Sequence, residues 1–416
     1  MRSSLSGVSS LANNVQGLGS KKVLLRVDLN LPTMQDGSLA DISRINAIVP
    51  TLRYLAQHNV KVILISHMEG KDEAAPPSFC CIFEKLREVI QQHVPGNVVL
   101  VDIAESSDEE LRRTIDDSRN QVILLENLRR HPGERANDKD FAKRLSSLAD
   151  IYVNDAFSCS HREHASIIGI PEFLPSYAGI HFWNEIEFLE KTMFYGRQSL
   201  SGLSKGLFIV GGKKVSTKLP TIRGVAENCG MSVAVVGAVA NTVLQAAGFF
   251  IGSSFHEPSY ASEARMLFNH DMSIYIPEDV LTNDGEEVRY RELLSEKLNS
   301  REVILDIGIK SLNRIDRMIQ DASTIIWNGP AGYFEDPRFN VGTFFLVQAL
   351  IRAKKHGAIT IVGGGDTIAA LSAYGVSLES GVNFTHVSTG GGAFLVWLQN
   401  RDLPGLDALR KRPCTK

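Results

Sequence analysis

No apolar run in this 416-residue chain is longer than a β-strand, so no segment reads as a helix spanning a bilayer, and a soluble protein is expected. Long Lys/Arg blocks are also missing: 44 basic against 47 acidic residues give a formal charge of −3. Nucleic acid and anionic membranes are therefore not expected partners, and any anion recognition has to be local. Cysteine is scarce. Cys80, Cys81, Cys159, Cys229 and Cys414 are odd in number, include no C-x-x-C pair and follow no secretory h-region. Zinc is not indicated, and reduced thiols inside a cell are expected. The first strand is followed by no G-x-G-x-x-G with an acidic residue some twenty positions on, which counts against a nicotinamide-linked dehydrogenase. Residues 1–27 contain no Asp or Glu and begin MRSSLSGVSS. A frayed arm on a cytoplasmic protein is the expectation there, with an organelle transit segment as the alternative.

What the chain does have is alternation. Short β-branched runs (KVLLRVDLN, KVILISH, NVVLVDI, VILLENL, IYVNDAF, then LFIVGG, SVAVVGA, SIYIPEDV, VILDIG, TIIWNG, AITIVGGG, HVSTGG) are separated by amphipathic stretches along the whole length. Such alternation builds parallel sheets through right-handed crossovers, with functional residues at the carboxyl ends of strands. A chain of this length is expected to form about two cores. The fold class expected is α/β: two Rossmann-like lobes, each a parallel sheet flanked by helices. The stretch 182–202 has Phe182, Ile186, Leu189, Met193 and Phe194 at helical spacing before a Ser/Gly break, and reads as a linking helix. The expected division is a first lobe over 1–185, the helix and hinge over 186–203, and a second lobe from 204.

Three glycine-rich turns in the second half each follow a β-branched run: FIVGGKKVSTK (208–218), TIVGGGDT (360–367) and HVSTGGGA (386–393). Glycines at a strand end present bare backbone N–H groups that a Cβ would shield, which suits phosphate. Lys214 and Lys218 are four apart and share a face if a helix starts after the glycines. Asp366 offers a hard oxygen to Mg²⁺ and Thr367 a hydroxyl at a helix start, although both are also ordinary capping residues. Thr389 and Gly390 to Gly392 would open a third helix whose dipole favours anions, unless they only reverse the chain. In TIIWNGPAGYFE (324–335), Asn328 and Glu335 are polar groups near a strand end, with Glu335 placed to accept from ribose hydroxyls. As an isolated residue it reads as a solvated surface group.

The strand-end residues of the first half are cationic and polar instead: Asp28, Asn30, Arg44, His67, Arg129, and Arg162 with His161 and His164. Guanidinium forks match carboxylate and phosphate geometry, and their joint placement favours one anion crevice over scattered surface charge. These residues lie in motifs that resemble those of the phosphoglycerate kinase family from about Lys21 to Arg410. VLLRVDLNLP is similar to its R-x-D-x-N-x-P signature, and LLENLR, DAFSCSHREHAS, GGKKVSTK, LDIGIKS, IIWNGPAGYFE, VGGGDT and STGGGA follow in the family's order.

The resemblance implies a phosphoglycerate site on the first lobe and MgADP or MgATP on the second. It also implies that the end of the chain, taken as 393–416, returns to the first lobe. Carried over by position, Asp28, Asn30, Arg44, His67, Arg129 and Arg162 bind the acid. Lys214, Lys218, Asn328, Glu335, Asp366 and Thr367 serve the nucleotide, helped by Gly237, Gly364, Gly365 and Gly391. Asp366 holds Mg²⁺, and Arg44, Lys214 and Lys218 are the expected catalytic cations. The partners are then 3-phosphoglycerate or 1,3-bisphosphoglycerate and ADP or ATP, and a monomer is expected. Transfer between them uses nucleophiles that are already anionic, so the residues required are cations and amides, with no general base. If the substrates sit on separate lobes, closure must bring them together, and the Ser/Gly exit of the linking helix is where bending is expected.

Departures from the family pattern cluster in two places. SHMEGKDE puts Gly70 where an acid-binding Arg is usual; Lys71 is a point charge without the fork, and Glu69 is expected to repel a phosphate nearby. One lost charge-assisted contact costs about 1.5–3 kcal/mol. VVGAVAN (235–241) stands where a Gly-Gly-Gly-Met run is usual, so methyl groups at Ala238 and Val239 are expected to crowd or reshape the base slot. Leu31, Arg130 and Ile309 are milder changes. A paralogue that binds nucleotide without turnover is the alternative reading, and the retained Arg44, Lys214, Lys218 and Asp366 argue against it.

Overall fold

The computed structural model describes residues 3–14, 18–31, 43–70, 76–195, 206–268, 272–388 and 390–411. The chain divides into two compact units, residues 1–189 with 402–416, and residues 190–401.

In the first unit, β1 (Lys22–Arg26), β2 (Lys61–Ile65), β3 (Asn97–Val101), β4 (Asn120–Leu125), β5 (Ile151–Asn154) and β6 (Ser176–Ala178) form one sheet in the order β3-β4-β2-β1-β5-β6. Every pairing is parallel. Helices therefore cover both faces, and the strands are apolar on both sides: Val23, Leu24, Leu25, Ile63 and Leu64 have no more than traces of exposed surface. The chain leaves the central β1 towards β2 on one side and later returns to β5 on the other. The resulting gap lies at the carboxyl ends of β1, β2 and β5, where α/β sheets bind ligands.

The second unit repeats the plan. Here β7 (Gly206–Val210), β8 (Ser232–Val235) and β9 (Ile274–Tyr275) join β13 (Thr324–Asn328), β14 (Ile359–Gly363) and β15 (His386–Ser388) in the order β15-β14-β13-β7-β8-β9, again parallel. One element departs from the expected pattern. β10 (Asp279–Asn283), β11 (Val288–Glu292) and β12 (Val303–Ile307) form a separate antiparallel sheet, so VILDIG and most of SIYIPEDV do not belong to the parallel layer. The hairpin turn carries Asn283, Asp284 and Gly285, the last at φ +98°, and turns of that chemistry reverse a chain. Ile309 takes the first position of the helix Ile309–Asp321, half-exposed, where a Pro is also accommodated, so this departure leaves the helix start intact.

The helix Ile180–Tyr195 crosses the division between units, with Phe182, Ile186 and Leu189 buried. Met193 and Phe194 as side chains, and the Ser/Gly exit at 196–203, lie outside the described residues. The returning segment begins later than expected, at Asp402 and not at residue 393. The helix Gly391–Asn400 instead packs on the helix Val215–Cys229 within the second unit. Gly224 permits this, since a Cβ there would lie 2.7 Å from Gln399 Cα. The last helix, Pro404–Arg410, is fixed to the first unit by Gly405 N–H donating to Ser160 O at 2.8 Å and by Arg410 Nη2 donating to Ser4 O at 2.5 Å.

Candidate active site

In the first unit the carboxyl ends of β1, β2, β4 and β5 gather guanidinium groups around one buried imidazole. Asp28, just past β1, is 8% exposed; its Oδ2 accepts from Arg44 Nη1 at 2.5 Å and from Ser158 Oγ, and its Oδ1 from Asn30 N at 2.9 Å. Burial raises its pKa, but Arg44, Ser158 and Asn30 N–H outweigh that and hold the carboxyl below its usual range. His67, past β2, has Nδ1 at 2.9 Å from Arg26 Nη2 and Nε2 at 3.0 Å from Arg162 Nη1. Burial first, then Arg26, Arg129 and Arg162, keep the ring neutral well below its ordinary pKa. A neutral imidazole can accept from only one of the two guanidinium groups that face it. Asp28, His67 and Cys159 also approach one another closely enough to suggest metal ligands. The guanidinium groups of Arg26, Arg44 and Arg162 beside them make this a poor place for a cation.

Arg129, past β4, is 7% exposed at its side chain, and its Nε is buried without a partner. Glu69 Oε1 lies 2.9 Å from both Arg129 Nη1 and Arg162 Nη2. Glu69, expected to repel a phosphate nearby, is thus in direct contact with two of the arginines; Lys71 lies outside the described residues. Beneath them Arg26, fully buried, donates through Nε to Ser166 Oγ at 2.9 Å, and Ser166 Oγ donates to Glu134 Oε1 at 2.5 Å. A lone Arg inside the apolar run VLLRV was the available signal for this support. Ser158 and Glu134 carried none.

In the second unit three backbone segments converge so closely that only glycine fits. A Cβ on Gly211 would lie 2.3 Å from Pro330 O, one on Gly237 (φ +62°) 2.5 Å from the same oxygen, and one on Gly329 (φ +99°) 2.2 Å from Gly211 O. Beside them is a cavity of about 400 Å³ whose lining includes Gly212, Gly237, Asn241, Phe255, Glu335 and Asp366. Its wall towards the antiparallel sheet is apolar, from Pro277, Val280 and Ile304. Ala238 lines the cavity, whereas Val239 is fully buried and does not, so only one of the two suspected methyl groups reaches the slot.

Lys214 caps the helix Val215–Cys229 and Lys218 lies one turn on, 7% exposed. Lys218 Nζ donates to Asn328 O at 3.2 Å and to Asn328 Oδ1. Burial, opposed by Asp366 and reinforced by Lys214, pulls its pKa down to about 8. Asn328 Nδ2 is buried with no partner. Asp366 is exposed in the first turn of the helix Gly365–Ala373, and Gly364 sits against the Asn328 side chain. Thr367 is buried, its hydroxyl oxygen accepting from Gly329 N at 2.7 Å, so it fastens the turn after β13. Gly391, at φ +50°, opens the helix after β15 and does not line the cavity; Thr389 lies outside the described residues. Asn241 went unnoticed in the sequence: it lines the cavity and its Oδ1 is buried and unpartnered.

The family model for phosphoglycerate kinase matches residues 13–401. The chain belongs to the phosphoglycerate kinase family. It is 38% identical over 404 residues to the phosphoglycerate kinase of Wolbachia sp. subsp. Drosophila simulans, covering 95% of this chain and 97% of that one. It is 36% identical to the phosphoglycerate kinase of Maricaulis maris, covering 95% and 96%. Among solved structures it is similar to phosphoglycerate kinase from Coxiella burnetii, with a TM-score of 0.78 at 30% identity over 97% of this chain and 98% of that one. For the Pyrococcus horikoshii enzyme the values are 0.79 and 29% over the same shares. The resemblance read from the motifs is thus met over nearly the whole chain, and phosphoglycerate kinases are transferases that move a phosphoryl group to 3-phosphoglycerate. No helix among the described residues is long and apolar enough to cross a membrane.

Proposed function

We propose that the first unit binds 3-phosphoglycerate or 1,3-bisphosphoglycerate through Asp28, Asn30, Arg44, His67, Arg129 and Arg162. The second unit takes ADP or ATP along Lys218, Gly237, Asn328, Glu335, Gly364, Gly365 and Asp366, with Thr367 and Gly391 supporting the turns. The observation that carries the reading is the pair of orphaned buried donors, Arg129 Nε and Asn328 Nδ2, each set among cations at a strand end. A buried N–H without an acceptor is costly, and an anionic oxygen supplies what it lacks.

Arg44, Lys214 and Lys218 neutralise charge on the phosphoryl group in transfer. Asp28 orients Arg44, and His67, kept neutral by burial and its arginine neighbours, takes no proton from the nucleophile. The apolar wall at Pro277, Val280 and Ile304 accepts a base, and Glu335 a ribose hydroxyl. Asp366, an exposed carboxylate that lines the cavity, would hold Mg²⁺, since a hard cation suits a carboxylate oxygen. When bound, Mg²⁺ neutralises charge on the phosphate tail. We further propose that the chain acts as a cytoplasmic monomer.

A coupled assay of 3-phosphoglycerate-dependent ATP consumption tests the reading. The wild-type protein is expected to turn over, and Arg44→Ala to lose about a hundredfold or more in kcat/KM. Absent turnover with ADP binding intact would favour a non-catalytic paralogue.

A further inference from the structure

Glu69 sits where an anion from outside is expected. One carboxylate oxygen serves both forks, 2.9 Å from Arg129 Nη1 and 2.9 Å from Arg162 Nη2, and lies 3.9 Å from His67 Nε2. Burial pushes its pKa up, but Arg162 and Arg129 outweigh this and hold the carboxyl below its ordinary range, so it is ionised at neutral pH. The backbone beneath it is fixed: Glu69 N donates to Asn30 Oδ1 at 2.8 Å, while Met68 exchanges hydrogen bonds with Asn127 at 3.0 and 2.8 Å. The Glu69 side chain is 42% exposed, and Arg129 only 7%. A rotation about the side-chain bonds of Glu69 therefore releases the bridge into solvent, and Arg129 cannot follow it.

We infer that Glu69 is the chain's own occupant of the acid site, a tethered carboxylate that holds Arg129 and Arg162 until an incoming phospho-acid displaces it, and so sets the affinity for that substrate. The inference rests on the acid-site reading above. Two forks that would repel each other when empty are held together by a carboxylate already present, so an external anion gains only the difference between its own contacts and those it replaces. A tethered competitor lowers apparent affinity by the fraction of time it occupies the site. Bridges this accessible to water bias such an equilibrium modestly, by roughly three- to tenfold for two arginines together.

Glu69→Ala is then expected to lower the KM for 3-phosphoglycerate by about three- to tenfold, leaving the KM for ATP where it was. Glu69→Gln, which keeps the size and loses the charge, is expected to lower it in the same direction by less. Binding of 3-phosphoglycerate is also expected to weaken more steeply with added KCl in Glu69→Ala than in the wild type, because the wild type exchanges one anion for another. An unchanged or raised KM in both variants, with thermal unfolding as in the wild type, overturns the inference and makes Glu69 a residue that positions the two arginines. Calorimetric titration with inorganic phosphate separates the two levels of the argument. Tighter phosphate binding in Glu69→Ala without any 3-phosphoglycerate turnover would sink the proposed function and keep the displaced carboxylate. Turnover with equal phosphate affinity in both proteins does the reverse.

Discussion

On the proposed reading, raising the pH through 8 should disarm the nucleotide site. Lys218 is the reason. Burial, with Lys214 nearby, brings its pKa down to about 8 despite Asp366, and the residue is 7% exposed. Such a group is about nine-tenths charged at pH 7 and one-tenth at pH 9, so kcat/KM for the nucleotide should fall roughly tenfold between them. The break in kcat should come at higher pH, because a bound polyphosphate favours the charged amine. Stability moves the other way. A lysine with a folded pKa below its unfolded one makes the unfolded chain bind more protons between about pH 8 and 10.5. Its contribution to stability therefore rises across that window, by at most about 3 kcal/mol relative to Lys218→Met. A loss of nucleotide affinity accompanied by a gain in relative stability cannot be general alkaline unfolding. The measurements are pH profiles of kcat/KM and denaturant midpoints from pH 6.5 to 9.5. A flat kcat/KM, or an unchanged alkaline limb in Lys218→Arg, whose charge does not titrate there, refutes the assignment.

Two further outcomes follow from the second unit. Gly237→Ala places a Cβ 2.5 Å from Pro330 O and 2.7 Å from Gly212 N, both backbone, at a φ of +62°. The conformation alone costs about 1–2 kcal/mol and the contacts add to it, so a loss of about 2–4 kcal/mol in urea unfolding is expected, against a change under 0.5 if the segments can separate. Asp306 is buried, and burial raises its pKa to about 7 although Gly342 N and Ile307 N donate to it at 2.8 and 2.9 Å. A carboxyl raised in the folded state contributes stability that is full below about pH 4 and is lost as pH rises through 7. Between pH 5 and 8 that loss is about 2–3 kcal/mol, and Asp306→Asn should be free of this slope; an equal slope in both proteins counts against a neutral buried carboxyl.

The features most legible in the sequence were those where one residue type alone permits the backbone geometry. Gly211, Gly237 and Gly329 stand where three chain segments meet within contact distance, and a run of β-branched residues ending in glycine announces this without a structure. The strand-end arginines were legible for a related reason, since parallel strands bring their carboxyl ends to one edge. The antiparallel sheet was not. VILDIG and SIYIPEDV have the composition of parallel strands, and strand direction is set by which neighbour each one meets; only Asn283 to Gly285 hinted at a hairpin. Thr367 was read as a hydroxyl at a helix start; that its oxygen also accepts from Gly329 N, at a different strand end, was not readable. Such long-range partners leave no local mark. Glu69 shows the same limit in charge: its sign and neighbourhood were readable, but its seat between two arginines from different strand ends was not.

On the proposed reading the two units meet the problem of binding anions by opposite means, and the difference explains where carboxylates occur. A three-carbon acid with a carboxylate and a phosphate offers planar, directional groups, for which guanidinium forks are suited. Full positive charges packed at strand ends repel one another, so a site built from them needs resident anions when no ligand is bound. Asp28 does this for Arg44 and Glu69 for Arg129 and Arg162, while the ring of His67 stays neutral. A phosphate tail offers many equivalent oxygens, and bare amides at glycine turns meet these with partial charges that need no compensation. Lys218 and Lys214 are the exception there, and burial, to which Lys214 adds, lowers the pKa of the buried one. It follows that removing an acid from the first unit should tighten anion binding only where that acid can swing away. Glu69 can, with its side chain 42% exposed; Asp28, at 8% and tied by three donors, cannot, and its loss should remove an ion pair that orients Arg44 without tightening anion binding.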